Sequence, residues 1–156
     1  MVMLVAPRLR GVAIEHMLHH QGGWNRSLAR DLTFQDLQIA TEMVVPSPSR
    51  AENTARYLLS QPLQFTPGSS TSYSNVGYQF HGLIVEVVSG MDFEQYVKTN
   101  VFQSAGIPDW KVEIGRTFAV DQNLREPHYS CSGTGVNVFD PTEPQVPLPY
   151  GSWHYE

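Results

Sequence analysis

Cysteine and lysine are scarce in this chain, and each shortage removes a kind of chemistry. Cys131 is the sole cysteine among 156 residues, so no disulfide can form within the chain, and the redox compartment stays open. Lysine occurs only at Lys98 and Lys111, and the residues three positions before them are Gln95 and Pro108. The sequence therefore contains no S-x-x-K. Positive charge is short overall. The formal net charge of −5 leaves no basic surplus to neutralise phosphates, which excludes a general nucleic-acid binder. No apolar run approaches the roughly 20 residues that cross a bilayer, so no membrane span is expected. In "MVMLVAPRLRG" the arginines Arg8 and Arg10 follow the short apolar run and Pro7 breaks it, whereas a secretory signal carries its charge first. A chain without an address label of its own is expected, its localisation unspecified. G-x-S-x-G, H-E-x-x-H, a phosphate-binding glycine loop and C-x-x-C are all missing as well.

What is present suits one domain with a real core. Hydrophobic residues make up 41% and charged residues 16% of the chain, which argues against disorder. Helical spacing appears first in "GVAIEHMLHH", with Ile14, Met17 and Leu18 on one side and Gly22-Gly23 as the stop. A second helix is expected from about Thr33 to Met43, using Phe34, Leu37 and Ile39, and ending before "VPSPS". Ser49 with Glu52 reads as a capping box for a third, through Tyr57, Leu58 and Leu59 to Pro62. The fourth carries the longest stripe: Phe80, Leu83, Ile84, Val87, Val88 and Met91, with Gly90 as a left-handed stop. Asp92 and Gln95 cap a fifth, over Phe93, Tyr96, Val97 and Val101, ended by "SAGIPDW". Beyond Trp110, "KVEIGRTF" alternates like a short strand, with Val112 and Ile114 on one face. From Glu126 onward five prolines and several glycines leave no helical period, and Ser132-Gly133-Thr134-Gly135 reads as a glycine-permitted turn.

Two places hold candidate chemistry. His16 and His20 lie four apart on an expected helix, so with His19 they offer a metal-binding reading, set against helix-end histidines bonded to carbonyls or water. Tyr73, Ser74 and Asn75 stand at the mouth of the fourth helix. Asn75 or Ser74 caps that helix while Tyr73 packs beneath it, or Tyr73 and Asn75 face a pocket together. Two residues apart in an extended turn, both side chains point to the same side, while Ser74 points away and suits a cap.

"IEHMLHHQGGW", "FTPGSSTSYSNVGYQFHGLIVEVVSG" and "FEQYVKTNVFQSAGI" occur in an order and spacing that resemble the serine β-lactamase-related hydrolases: class C β-lactamases, D-alanyl-D-alanine carboxypeptidases and related esterases. The blocks match that family's H-L-L-x-H-x-S-G segment, its P-G-x-x-x-x-Y-S-N segment and the helix pair that follows, over about Leu9 to Ile107. The resemblance implies attack on an amide or ester carbonyl by the serine of an S-x-x-K motif, through an acyl-enzyme that water opens. It implies that Tyr73, the tyrosine of Y-x-N, moves the proton with that lysine, and that Asn75 orients the substrate and the lysine. A free phenol titrates at about pH 10, so Tyr73 serves as a base only where adjacent cations favour its phenolate.

The family's other motifs are not here. In the family S-x-x-K lies upstream of the H-L-L-x-H block, and K-T-G or H-x-G lies well downstream of Y-x-N. Lys98-Thr99-Asn100 is K-T-N in a helical pattern, and Gly133-Thr134-Gly135 lacks the cation. The expectation is a fragment: a partial β-lactamase-like domain over 1–156, helical over about 9–107 and irregular, Pro/Gly-rich, over 108–156. The fold class is mainly α, the helical region of the family's α+β fold with little of its central antiparallel sheet. Its parent takes a small β-lactam, ester or peptide substrate, with no cofactor or metal. Alone the chain is expected to be inactive, with helix faces left exposed and able to associate. A non-catalytic interaction module and a histidine-based metal-binding helical protein are the alternatives.

Overall fold

A computed structural model describes residues 7–113, 123–125, 133–140, 142–143, 145–148 and 151. The chain divides into two compact units, one up to Ile84 and the other from Val85. The described residues are mainly helical. The first unit opens with a 3-10 turn (Pro7–Gly11) and then holds α1 (Ile14–Leu18), α2 (Arg26–Ala29), a second 3-10 turn (Leu32–Phe34), α3 (Asp36–Met43) and α4 (Ala51–Ser60). The helix α5 (Asn75–Ser89) starts in this unit and ends in the next, which contributes α6 (Phe93–Val97), a π turn (Lys98–Phe102), a 3-10 turn (Asp109–Lys111) and strands β1 (Thr134–Val136) and β2 (Gln145–Pro147). Among the described residues no helix is long and apolar enough to cross a membrane.

α1 is shorter than its spacing predicts. It stops at Leu18 because His20 takes a left-handed φ of 56° and the Gln21 amide turns back to the His16 carbonyl. Of the three apolar positions only Met17 is buried, while Ile14 and Leu18 stay exposed. Gly22 and Gly23 then bring Trp24 inward. At Gly23 φ is +108°, and a β-carbon there would meet Leu63 Cδ1 and the Phe65 carbonyl oxygen at 2.9 Å each. The Gly23 carbonyl meanwhile accepts the amides of Gln64 and Phe65 at 2.9 and 3.3 Å. Both the dihedral and the contact demand glycine. Gly23→Ala is expected to cost about 1–3 kcal/mol through backbone strain, read as a lowered melting temperature; an unchanged one would refute this docking.

α3 and α4 pack together. Ile39 and Ala40 on one, and Thr54, Tyr57 and Leu58 on the other, are buried at helical spacing, as amphipathic helices require. Phe34, expected in this apolar face, is exposed in the 3-10 turn before α3. The capping box expected at Ser49 does not form. Arg50 is the N-cap residue, so Ser49 stands one position too early. Its hydroxyl, almost wholly buried, donates to Asp36 Oδ1 at 3.2 Å and lies 3.1 Å from Thr54 Oγ1. A buried hydroxyl must find a partner, and here α3 supplies it.

Tyr57 ties the same two helices by donating to Glu42 Oε2 at 2.7 Å. Burial first, and then this bond to a carboxylate, push the Tyr57 phenol up to about 12. The Gln38 amide and the Tyr57 hydroxyl hold the Glu42 carboxyl below its ordinary range. Because the folded state favours the neutral phenol, this contribution to stability is whole below about pH 10 and is lost as the pH climbs to about 12. Tyr57 should give a phenolate absorbance step at about pH 12, and Tyr57→Phe should delete it. A titration unchanged by that substitution would contradict the geometry.

The long stripe of α5 is buried in part. Val76 and Gly77 are buried, and Phe80 and Ile84 pack against the core of the first unit. Val87 and Val88 are 84% and 80% exposed, so the buried part of the stripe ends before them. Gly90 ends the helix at φ +68°, its amide reaching the Glu86 carbonyl at 2.8 Å, as a left-handed glycine does.

In the second unit Asp92 Oδ1 accepts the Gln95 amide at 3.1 Å, the expected cap. The expected fifth helix is α-helical only to Val97; it then widens into the π turn, where the Gln103 amide reaches the Lys98 carbonyl at 3.0 Å. Lys98 pairs with Glu94 at 2.6 Å. β1 and β2 are antiparallel, with Gly135 opposite Val146. Thr134 and Gly135, expected in a turn, lie in β1 because Gln145–Pro147 offer them a partner strand, and Thr134 Oγ1 donates to Gln145 Oε1 at 2.7 Å. Ser132 lies outside the described residues, as does the expected strand from Ile114 onward; Lys111 closes a 3-10 turn instead.

Candidate functional site

Asn75 is the first residue of α5, and Tyr73 stands two residues earlier in extended chain. Alternation puts their side chains together. The Tyr73 hydroxyl donates to Asn75 Oδ1 at 2.8 Å. Ser74, between them, is buried, and its amide donates to His20 Nδ1 at 3.4 Å. The other end of the Asn75 carboxamide, Nδ2, donates to Asp31 Oδ2 at 2.7 Å, within the range of charge-assisted bonds. Asp31 Oδ1 in turn accepts the Thr33 amide at 3.3 Å, at the start of the Leu32–Phe34 turn.

The phenol is held by its ring. The His20 imidazole lies 4.7 Å from the Tyr73 ring, tilted 41°, and the Arg26 guanidinium carbon stands 4.8 Å from its centroid, a cation over an aromatic face. His20 also meets the Tyr78 ring at 5.3 Å. Tyr78 donates to the Leu18 carbonyl at 3.2 Å, and His81 Nε2 lies 3.3 Å from the Ile14 carbonyl. α5 therefore sits on α1 through polar groups as well as packing. Gly77 permits the approach: a β-carbon there would stand 3.3 Å from the Met17 carbonyl oxygen.

Tyr73 is 50% exposed, so its hydroxyl is reachable while its ring is fixed. A cavity of about 300 Å³ has Trp24, Arg26, Asp31, Gln64 and Ser74 in its wall, but neither Tyr73 nor Asn75 lines it. Chemically the arrangement offers a phenol that gives its hydrogen to an amide oxygen, a carboxamide whose two ends are both engaged, an anion behind that carboxamide, and a cation over the ring.

Both residues picked out by sequence, Tyr73 and Asn75, are brought into direct contact. The histidines are not gathered. The His16 ring accepts the Ala13 amide through Nδ1 at 3.2 Å, His20 accepts from Ser74, and His19 is exposed. Among the described residues no group of three or more His, Cys, Asp or Glu side chains could hold a metal ion. Asp31 and Arg26 were not foreseen. Neither carries a motif, and Asp31 precedes Asn75 by 44 residues, a separation that no helical or strand period reads.

The beta-lactamase family model matches residues 4–126. A protein of Escherichia coli (strain K12) described as "Putative D-alanyl-D-alanine carboxypeptidase" is 31% identical over 101 residues, which cover 60% of this chain and 20% of that protein. One from Salmonella schwarzengrund (strain CVM19633) with the same description is 30% identical over 91 residues, covering 58% of this chain and 19% of its own length. The chain thus spans about a fifth of the length of the curated relatives it matches. Among solved structures, a penicillin binding protein from Bacillus halodurans is 30% identical, with 63% of this chain and 30% of that one covered, at TM-score 0.47. An octameric penicillin-binding protein homologue from Pyrococcus abyssi is 23% identical, with 90% of this chain and 30% of that one covered, at TM-score 0.49.

Proposed function

The chain belongs to the beta-lactamase family, and from that premise we propose that it supplies the Tyr73–Asn75 half of an acylation site in a serine hydrolase acting on a β-lactam, ester or peptide. In this reading residues 1–156 form part of one β-lactamase-like domain. Tyr73 passes the nucleophile's proton toward the leaving group, and Asn75 orients the substrate's polar group. The observation that carries it is the 2.8 Å bond between the Tyr73 hydroxyl and Asn75 Oδ1, made where the phenol is half exposed. A general acid–base group needs both reach and a fixed direction, and this pair has both.

The sequence holds no serine three residues before a lysine. On this reading the chain by itself therefore lacks a nucleophile and its activating cation, and it hydrolyses nothing alone. A chimera tests the proposal. The matching stretch of the Escherichia coli relative, 101 residues long, is replaced by the corresponding stretch of this chain. Hydrolysis of a chromogenic cephalosporin, a nitrophenyl ester and a peptide ending in D-alanyl-D-alanine is then measured beside the unaltered relative and the isolated chain. The expected result is an active chimera on the substrates that the relative hydrolyses, with the isolated chain no faster than buffer. A folded but silent chimera beside an active relative would leave the interaction-module reading in place of this one, and turnover by the isolated chain would refute its inertness.

A further inference from the structure

Resting on the reading just given, we propose that Asp31 is a positioning residue that sets the direction of the hydrogen bond between Asn75 and Tyr73. A carboxamide has two ends of nearly equal shape, one an acceptor and one a double donor. Nothing in Asn75 itself decides which end meets the phenol. Asp31 decides it. An ionised carboxylate only accepts, and Asp31 Oδ2 stands 2.7 Å from the Asn75 nitrogen. The nitrogen end is thereby committed to Asp31, and the oxygen end must face Tyr73, 2.8 Å away. The phenol is left with one role in that bond, as donor, and its oxygen keeps its lone pairs for another partner.

That outcome matters for proton transfer. A phenol whose hydrogen is directed at Asn75 keeps its lone pairs open to a hydrogen-bond donor, and it takes up a proton only after losing its own, as the phenolate. With the carboxamide inverted, Nδ2 would instead donate to the phenol oxygen and occupy a lone pair. Asp31 is itself braced, since its second oxygen accepts the Thr33 amide at 3.3 Å where the Leu32–Phe34 turn begins. Its carboxylate therefore arrives with a backbone-set orientation rather than as a free surface side chain.

The test is nuclear magnetic resonance on the full 156-residue chain, labelled with carbon-13 and nitrogen-15. In the unsubstituted chain, a coupling across the hydrogen bond should link Asn75 Nδ2 to Asp31 Cγ, with one Asn75 amide proton moved downfield. Asp31→Asn, of nearly the same shape but able to donate, should abolish that downfield displacement and also shift the Tyr73 Cζ signal. Asp31→Glu should restore both in part. A strut that merely held the loop would leave Tyr73 Cζ unmoved, and that result would overturn the proposal. Should Asp31→Asn fail to fold, the unsubstituted chain and Asp31→Glu decide: no coupling in the first, or no Tyr73 Cζ signal near the wild-type position in the second, overturns it equally. The two readings fail separately. These signals report the bond's direction whether or not the chimera hydrolyses anything, and an active chimera whose Tyr73 Cζ ignores Asp31 would sink the positioning role alone.

Discussion

Tyr73→Phe in the chimera is expected to lower kcat/KM by about 10²–10⁴-fold, the usual contribution of a positioned acid–base group. Phenylalanine retains the ring, and with it the His20 contact at 4.7 Å and the Arg26 guanidinium at 4.8 Å. Only the hydroxyl goes, along with its bond to Asn75. For a side chain that is half exposed, losing one neutral hydrogen bond costs stability by about 0.5–1.5 kcal/mol at most, so the folded fraction should hardly change. A rate loss of 10²–10⁴-fold corresponds to about 2.7–5.5 kcal/mol, well beyond that structural cost. The two effects can therefore be told apart by recording unfolding and turnover on the same preparation. If the phenylalanine chimera keeps more than a tenth of its rate, Tyr73 does not move the proton, whatever the geometry around it.

Which parts of this molecule were legible in its sequence follows from how far each interaction reaches along the chain. The Asp92 cap, the glycine stop at Gly90 and the buried face of α4 depend on residues within a turn or two of one another, and the sequence pattern foretold all three. The contact between Tyr73 and Asn75 is also local, two residues in extended chain. The failures share the opposite property. Ser49 had a local partner available three residues on, but its burial beside α3 made Asp36 the better one. His20 looked like the next turn of a helix, yet its backbone turns left-handed there, and its ring is spent on Tyr73, Tyr78 and the Ser74 amide. Thr134 and Gly135 read as a turn until Gln145–Pro147 came alongside. Asp31 is the sharpest case. Its role exists only because the loop after α2 is carried to the mouth of α5, and nothing in "LARDLTF" announces that destination.

Within the first unit, Ile39→Ala is expected to destabilise by about 2–5 kcal/mol, the range for emptying a well-packed aliphatic site. Ile39 is 0% exposed and Leu58 1% exposed, so burial alone does not rank them. Their surroundings do. Leu58 borders the cavity of about 300 Å³, and space vacated there opens onto existing room that water can enter. Ile39 is not part of that wall. It sits on the face of α3 that packs against α4, where the Tyr57–Glu42 and Ser49–Asp36 bonds brace the two helices. A braced wall collapses little, and the cost of a cavity rises with the volume that stays empty. Ile39→Ala should therefore cost more than Leu58→Ala, read as the larger fall in urea midpoint at unchanged slope. Against a typical stability of about 5–15 kcal/mol, the Ile39 loss takes a large share of what holds the Tyr73–Asn75–Asp31 arrangement in place. Equal or reversed costs would mean that α3 relaxes into the gap, and that the two bonds do not brace it.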